Sequence, residues 1–191
     1  MKVVCDQDYE GGGWTVIQNR YDGSVSFYRG WDDYVKGFGY LRGEFWLGLT
    51  KIHELTNTER HELHILMEDF EGQIVVAKYD NFLVGGSMEK FTLKRLGNYS
   101  GTAGDSLSFG IGMKFSTLDE ENDIWPDGNC AVSYKGAWWY NTCHNSNLNG
   151  LYLGGPRKEY ATMMCWNTFK GSYYGLKRSR MMIRAKKSSR G

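Results

Sequence analysis

The sequence has little proline, almost no net charge and no long apolar run. Only 2 of its 191 residues are proline, against 25 glycines, which excludes a collagen-like chain. An aromatic content of 15% is too high for a disordered one. The formal net charge of +1 gives no global field to attract nucleic acid or an anionic membrane. Without a run of about 18 apolar residues, no membrane-spanning helix and no membrane insertion are expected. A single folding unit of short strands and tight loops is predicted.

The four cysteines lack the spacing of a metal or redox motif. Cys5, Cys130, Cys143 and Cys165 form no C-x-x-C pair, which argues against a zinc ribbon and a thioredoxin-type site. Disulfides are the better explanation, but four cysteines allow three pairings and spacing does not choose among them. Cys165 could equally be a buried free thiol, because free cysteine packs as a small hydrophobic residue.

Short apolar segments separated by turn residues predict a sheet. Residues 14–18 follow three glycines and precede the turn pair Asp22-Gly23, which predicts an early hairpin. Alternating apolar residues over 63–67, followed by the run at 74–79, predict two further strands. We expect these two strands to form the centre of the sheet.

The second half of the chain is predicted to be mostly loop. Thr50 is placed to cap a short helix over residues 51–55, because its hydroxyl can accept a free backbone N–H. After about residue 97, glycine and small polar residues separate isolated aromatics until residues 173–176 and 181–184 predict closing strands. Loops are where binding residues concentrate. The tail at 186–191 is predicted to be disordered.

Two adjacent segments of this loop region carry most of the chemistry. Residues 119–123 bring four carboxylates ahead of a Pro-Asp-Gly turn, a composition that suits a hard cation with oxygen ligands. Residues 129–150 combine two cysteines with Trp138, Trp139 and His144, which indicates a binding site. The sequence contains neither the Gly-Lys-Ser/Thr ending of a phosphate loop nor a GxSxG elbow, so we expect no enzyme.

Ordered motifs along nearly the whole chain match one family. They are GGGWTVIQ at 11–18, DGSV at 22–25, GEFWLG at 43–48, YSGTAGD at 99–105 and the cysteine segment at 129–150. The chain thereby resembles the fibrinogen-related domain, the globular C-terminal module of fibrinogen chains, ficolins, tachylectins, tenascins and angiopoietins. In pattern it is most similar to ficolin-type, tachylectin-type and invertebrate immune lectins.

The resemblance implies an α+β fold with a central, mainly antiparallel twisted sheet, few short helices and a loop-rich subdomain for calcium and ligand. One domain over 1–191 is expected. Its parts are an N-terminal subdomain at about 1–45, a central sheet region at 46–105 joined by the C-terminal strand, and a loop-rich binding subdomain at 106–180.

For the ligand, the resemblance implies a pocket for acetyl groups on sugars beside the cysteine loop. Aromatic and imidazole rings can enclose a methyl group while polar atoms bind the carbonyl. By motif position the pocket residues are Tyr134, Cys143, His144, Tyr160 and Ala161, with Trp139 close by in sequence. The peptide bond before Cys143 is expected to be cis. The chain departs from the family pattern at Ser172, where several relatives have an aromatic residue, and at Thr162-Met163, which replaces an Asp-Gly pair.

The resemblance also implies a disulfide and a calcium site. Cys130 and Cys143 are expected to pair. The calcium ligands are expected to be the carboxylates of Glu121 and Asp123, with backbone carbonyls near Trp125 and Asp127. Glutamate at 121 replaces the usual aspartate. An EF-hand is excluded, because a loop begun at Asp119 would lack the glycine and the glutamate that it needs.

Together these features predict a secreted, calcium-dependent, lectin-like module that binds N-acetylated or related glycans on microbial surfaces. The alternative is an extracellular protein-interaction module that binds a receptor or peptide with the same face. Several copies are expected to be joined through a segment upstream of Cys5. Asn98 begins a glycosylation sequon, Asn98-Tyr99-Ser100, in a glycine-rich stretch.

Overall fold

The computed structural model describes residues 1–186, which form a sheet with four short helices and a long loop region. Of the predicted tail at 186–191, residues 187–191 lie outside the described residues. The helices are α1 (Trp31–Lys36), α2 (Leu49–Thr58), α3 (Cys130–Tyr134) and α4 (Asn167–Lys170). The strands are β1 (Val4–Asp6), β2 (Trp14–Arg20), β3 (Phe38–Gly39), β4 (Phe45–Trp46), β5 (His61–Glu68), β6 (Ile74–Val84), β7 (Leu93–Arg95), β8 (Tyr99–Gly101), β9 (Gly155–Pro156), β10 (Tyr174–Gly175) and β11 (Arg178–Ala185).

The main sheet has nine strands and is antiparallel throughout. Its order is β3-β4-β2-β11-β5-β6-β7, with β1 beside β2 and β8 beside β6. The last strand, β11, lies between β2 and β5, so that Met181 faces Gln18 on one side and Ile65 on the other. The predicted α+β fold with a mainly antiparallel sheet is confirmed.

The alternation of side chains explains why β5 forms at the centre. Leu63, Ile65 and Met67 are buried on the core face, whereas Leu66 and Glu68 on the other face are only partly buried. The two strands predicted here are confirmed, and both extend beyond the predicted residues. Of the predicted closing strands, β11 joins the main sheet, while β10 pairs only with β9 in a separate two-stranded ribbon.

The predicted hairpin at Asp22-Gly23 is wrong. The chain leaving β2 does not return as a strand, because its backbone wraps around the buried carboxylate of Glu44. The backbone N–H groups of Tyr21, Asp22 and Gly23 donate to Oε1 of Glu44 at 2.8 to 2.9 Å, and that of Val25 donates to Oε2 at 3.0 Å. The strands that pair with β2 are β1, β4 and β11.

The predicted cap at Thr50 is also wrong. Helix α2 begins two residues earlier than predicted, at Leu49, and Gly48 occupies the N-cap position without any side-chain hydrogen bond. Gly48 has a φ of 112°, and a Cβ there would lie 2.8 Å from the carbonyl carbon of Lys36. This close backbone contact needs glycine, so it decides where the helix begins.

Buried aromatic side chains join the sheet to the loop region in one continuous core. The ring of Phe115, from the loop region, lies 5.3 Å from Tyr34, 5.9 Å from Trp46 and 5.3 Å from Trp139 between ring centroids. The amide of Gln18 on β2 adds a polar link, donating to the Leu148 carbonyl at 3.0 Å. The segment after the second loop cysteine is therefore anchored directly to the sheet.

The helices of residues 1–186 are short, the longest being α2 with 10 residues. None of them combines the length and the apolar character needed to cross a membrane.

Candidate functional site

The cysteine loop begins at α3 and is closed by the predicted disulfide. Cys130 and Cys143 are bonded, with an S–S distance of 2.08 Å and Cα atoms 5.5 Å apart. The side chain of Asn129 caps α3 by accepting the backbone N–H of Val132 at 3.0 Å. Within the described chain, Cys5 is exposed and Cys165 is buried, and both are free thiols.

Four rings next to this loop form a continuous group, which we call the aromatic strip: His144, Tyr134, Tyr160 and Tyr173. Successive ring centroids are 5.0 Å apart from His144 to Tyr134, 6.3 Å from Tyr134 to Tyr160 and 5.2 Å from Tyr160 to Tyr173. Three of these residues were predicted from the sequence, and the fold brings them together. Tyr160 is 52% exposed, so the strip is open to solvent at this point.

His144 is fixed in orientation and in protonation state. Its Nε2 lies 2.9 Å from the carbonyl oxygen of Ala161, and because a carbonyl can only accept, Nε2 must carry the proton. Burial of the imidazole lowers the pKa of His144 to about 4, so the ring is neutral at pH 7. Its Nδ1 is a buried acceptor without a partner among residues 1–186.

Asn147 supports the strip from beneath and was missed at the sequence level. It is fully buried, and its Nδ2 donates to the carbonyls of Tyr134 at 3.0 Å and Ala161 at 3.3 Å. Its Oδ1 accepts the hydroxyl of Tyr140. The only sequence signal is the position of Asn147 in a run of alternating asparagines after His144. One buried amide therefore connects the backbones of two predicted pocket residues.

Tyr173 was also missed, and it lies next to the position where the family aromatic is absent. The hydroxyl of Ser172 lies 3.3 Å from Oδ1 of Asn167, whereas the adjacent Tyr173 places its ring beside Tyr160. The signal was present in the sequence as the aromatic pair that directly follows Ser172. Tyr173 thus adds an exposed aromatic ring at the outer end of the strip.

Two further predictions concern the residues around the disulfide. The peptide bond between Thr142 and Cys143 is cis, as predicted. The Cys143 backbone N–H takes part in none of the hydrogen bonds within residues 1–186. The prediction that Trp139 contacts ligand is wrong, because this residue is 1% exposed and its indole N–H donates to the Phe91 carbonyl at 2.9 Å. Trp139 belongs to the core behind the cysteine loop.

Asp119 and Glu120, the two clustered carboxylates that are not predicted calcium ligands, have structural partners. Burial would raise the pKa of the Asp119 carboxyl, but the hydroxyl of Thr117 at 2.7 Å and the backbone N–H of Trp31 at 2.8 Å donate to it and lower its pKa. Glu120 forms an ion pair with Lys90 at 2.8 Å. The other two, Glu121 and Asp123, are the predicted calcium ligands, and Asp123 also has backbone partners.

The donor set at the predicted calcium site has the chemistry that Ca²⁺ prefers. Both oxygens of Asp123 accept backbone N–H groups, Oδ1 from Trp125 at 2.9 Å and Oδ2 from Cys130 at 2.8 Å. Glu121 and Asp127 are exposed. No three His, Cys, Asp or Glu side chains in the described part of the chain are grouped to hold a metal. A cation here would depend on two carboxylates and on backbone carbonyls, which are hard oxygen donors.

Comparison with known proteins agrees with the fold. The family described as "Fibrinogen beta and gamma chains, C-terminal globular domain" matches residues 1–186. The human "Fibrinogen C domain-containing protein 1" is 49% identical over 193 residues, covering 99% of this chain and 42% of that protein. This chain therefore spans less than half of that relative's length.

Solved structures show the same relationship. The fibrinogen-like globe domain of human ANGPTL2 is 46% identical, with a TM-score of 0.94 over 98% of this chain and 87% of that one. A lamprey fibrin D-dimer, complexed with the peptide Gly-His-Arg-Pro-amide, is 33% identical, with a TM-score of 0.89 over 99% of this chain and 67% of that one. The chain belongs to the fibrinogen C-terminal domain family.

Proposed function

We propose that this chain is a secreted, calcium-dependent, lectin-like recognition module that binds N-acetylated or related glycans on microbial surfaces. A disulfide in the described chain is typical of proteins from oxidising, extracellular compartments. The family relationship favours a role in recognition.

The observation that carries this proposal is the neutral His144 within the aromatic strip. An acetyl methyl group would pack against the rings of Tyr134 and Tyr160, since apolar walls with a few polar atoms are typical of small-ligand sites. The free Cys143 N–H is a donor for the acetyl carbonyl oxygen.

Calcium would bind through Glu121, Asp123 and the carbonyls near Trp125 and Asp127. A bound Ca²⁺ would neutralise the acidic segment and hold it against the start of α3. Asp123 already accepts the N–H of Cys130, so this segment is connected to the disulfide that shapes the ligand pocket. The expected dependence of ligand binding on calcium follows from this connection.

The test is a calorimetric titration with N-acetylglucosamine and with unacetylated glucosamine, each in calcium and in chelator. Tyr160→Ala is the informative variant, because the residue is half exposed and its truncation leaves the core intact. Tyr40→Ala is the matched control, since Tyr40 is 75% exposed in the turn between β3 and β4. We expect acetyl-selective, calcium-dependent binding that Tyr160→Ala weakens and Tyr40→Ala leaves unchanged. Equal binding of both sugars would refute acetyl recognition.

A single shallow pocket offers few contacts, so the affinity of one copy for a sugar should be low. Joining several copies through a segment upstream of Cys5 would raise avidity without new contacts. We expect linked copies to be retained much more strongly than single copies on an N-acetylglucosamine surface. The affinity of each site in solution should be unchanged.

The second candidate is a protein-interaction module. The lamprey fibrin structure, which shares this fold, was solved with a bound peptide, and this match favours peptide recognition on a fibrinogen-type domain. Titration of Gly-His-Arg-Pro-amide tests it directly. Peptide binding without any sugar binding would favour this candidate over the lectin.

A further inference from the structure

We infer that Tyr173 and Tyr160 form a second subsite, which stacks the sugar ring next to the N-acetylated one. The inference rests on the proposed function and names its ligand more closely. The preferred ligand would be an oligosaccharide whose terminal N-acetylated sugar occupies the pocket at Tyr134 and His144.

The exposure of the two rings distinguishes this end of the strip. Tyr160 is 52% and Tyr173 is 54% exposed, and their ring centroids are 5.2 Å apart with an interplanar angle of 55°. His144 at the other end is largely covered and is hydrogen-bonded to Ala161. The strip therefore runs from an enclosed end that suits a small group to an open end that suits a ring.

The open end is held rigidly by backbone contacts. The N–H of Arg157 donates to the carbonyl of Tyr173 at 2.8 Å, and that of Ala161 donates to the carbonyl of Ser172 at 2.7 Å. Strands β9 and β10 pair immediately beside these bonds. Tyr160 and Tyr173 thus sit on two segments that are clamped together, so little ordering is needed when a ligand binds.

The chemistry of the two tyrosines suits a sugar ring. One face of a pyranose carries mainly C–H groups, which pack on an aromatic surface, while the ring hydroxyls stay in water. Each tyrosine also has a hydroxyl that can hydrogen-bond at the edge of this contact. An acetyl group alone would bind at the enclosed end of the strip and would not contact Tyr173. A second sugar ring would pack against Tyr173.

The experiment compares N-acetylglucosamine with its β-1,4-linked dimer by calorimetry on the calcium-loaded chain. The variants are Tyr173→Ala, which removes the ring, and Tyr173→Phe, which keeps it. Tyr40→Ala again serves as the control for loss of an exposed tyrosine. In the wild type we expect the dimer to bind about three- to tenfold more tightly than the monosaccharide, the range that one aromatic contact supplies. Tyr173→Ala should abolish this advantage and leave the monosaccharide affinity within about twofold, whereas Tyr173→Phe should preserve it.

Three outcomes would overturn the second subsite alone. The first is a wild type that binds monosaccharide and dimer equally, and the second is a dimer advantage that survives in Tyr173→Ala. A parallel loss of both sugars in Tyr173→Ala would place Tyr173 in the acetyl pocket and also overturn it. A folded wild type that binds neither sugar would refute the proposed function itself.

Discussion

Mild acid should destabilise this protein through His144. Burial lowers the pKa of His144 from 6.5 to about 4, so the unfolded chain binds a proton at pH values where the native state does not. The stabilisation that the low native pKa of His144 gives is complete above pH 6.5 and is lost as the pH falls towards 4. From pH 7 to pH 5 the free energy of unfolding should therefore fall by about 2 kcal/mol on account of this residue.

The measurement is urea unfolding, followed by tryptophan fluorescence, at pH 7 and pH 5 for the wild type and for His144→Gln. Carboxylates titrate equally in both proteins, so the difference between their pH responses isolates His144. We expect the variant to lose about 2 kcal/mol less than the wild type. His64 offers an independent second case, because burial beneath Trp14 lowers its pKa to about 4 as well.

An identical pH response in His144→Gln and the wild type would refute the reasoning. The native pKa also gives a direct check that involves no substitution. A pH titration of the His144 ring protons by NMR should show no protonation at pH 6, and a native pKa at or above 6.5 would contradict burial as the controlling factor.

Three further predictions concern buried supports. Replacing Cys130 and Cys143 by serine opens a loop of sequence separation 13, and urea unfolding should show a loss of about 3 kcal/mol, which an unchanged midpoint would contradict. Glu44→Gln replaces the carboxylate that accepts four backbone N–H groups with an amide. This substitution should lower the free energy of unfolding by about 2 kcal/mol. Asn147→Ala leaves the carbonyl of Tyr134 without its donor and the hydroxyl of Tyr140 without its acceptor. It should cost about 1 to 3 kcal/mol of unfolding free energy and weaken N-acetylglucosamine binding, and binding at wild-type strength would count against a supporting role.

Features encoded by neighbours in the sequence could be predicted. Strands β5 and β6 alternate clearly, lie next to each other along the chain and pair directly, so a local pattern was sufficient. Tyr134, His144 and Tyr160 were found because they stand at fixed positions in recognisable motifs. In each case the information lies within a short segment of the chain.

Features that depend on distant residues could not be predicted. The turn at Asp22-Gly23 looks like a hairpin until Glu44 is known to lie inside it, and Gly48 replaces Thr50 as the helix cap only because Lys36 passes beside it. Whether a side chain is buried also depends on residues that are distant in the sequence. Trp139 lies in the core and Tyr173 lies at the surface, although both stand among aromatic residues in the sequence.

The position of β11 has a consequence for how the chain folds during its synthesis on the ribosome. The central strand of the sheet, Arg178–Ala185, is the last strand of the described chain to be synthesised, and both of its neighbours are made long before it. Until it emerges, β2 and β5 each present an open edge, the kind of surface on which chains aggregate. Completion of the sheet must therefore wait until β11 has been synthesised, and chaperones that shield strand edges should matter most during that interval.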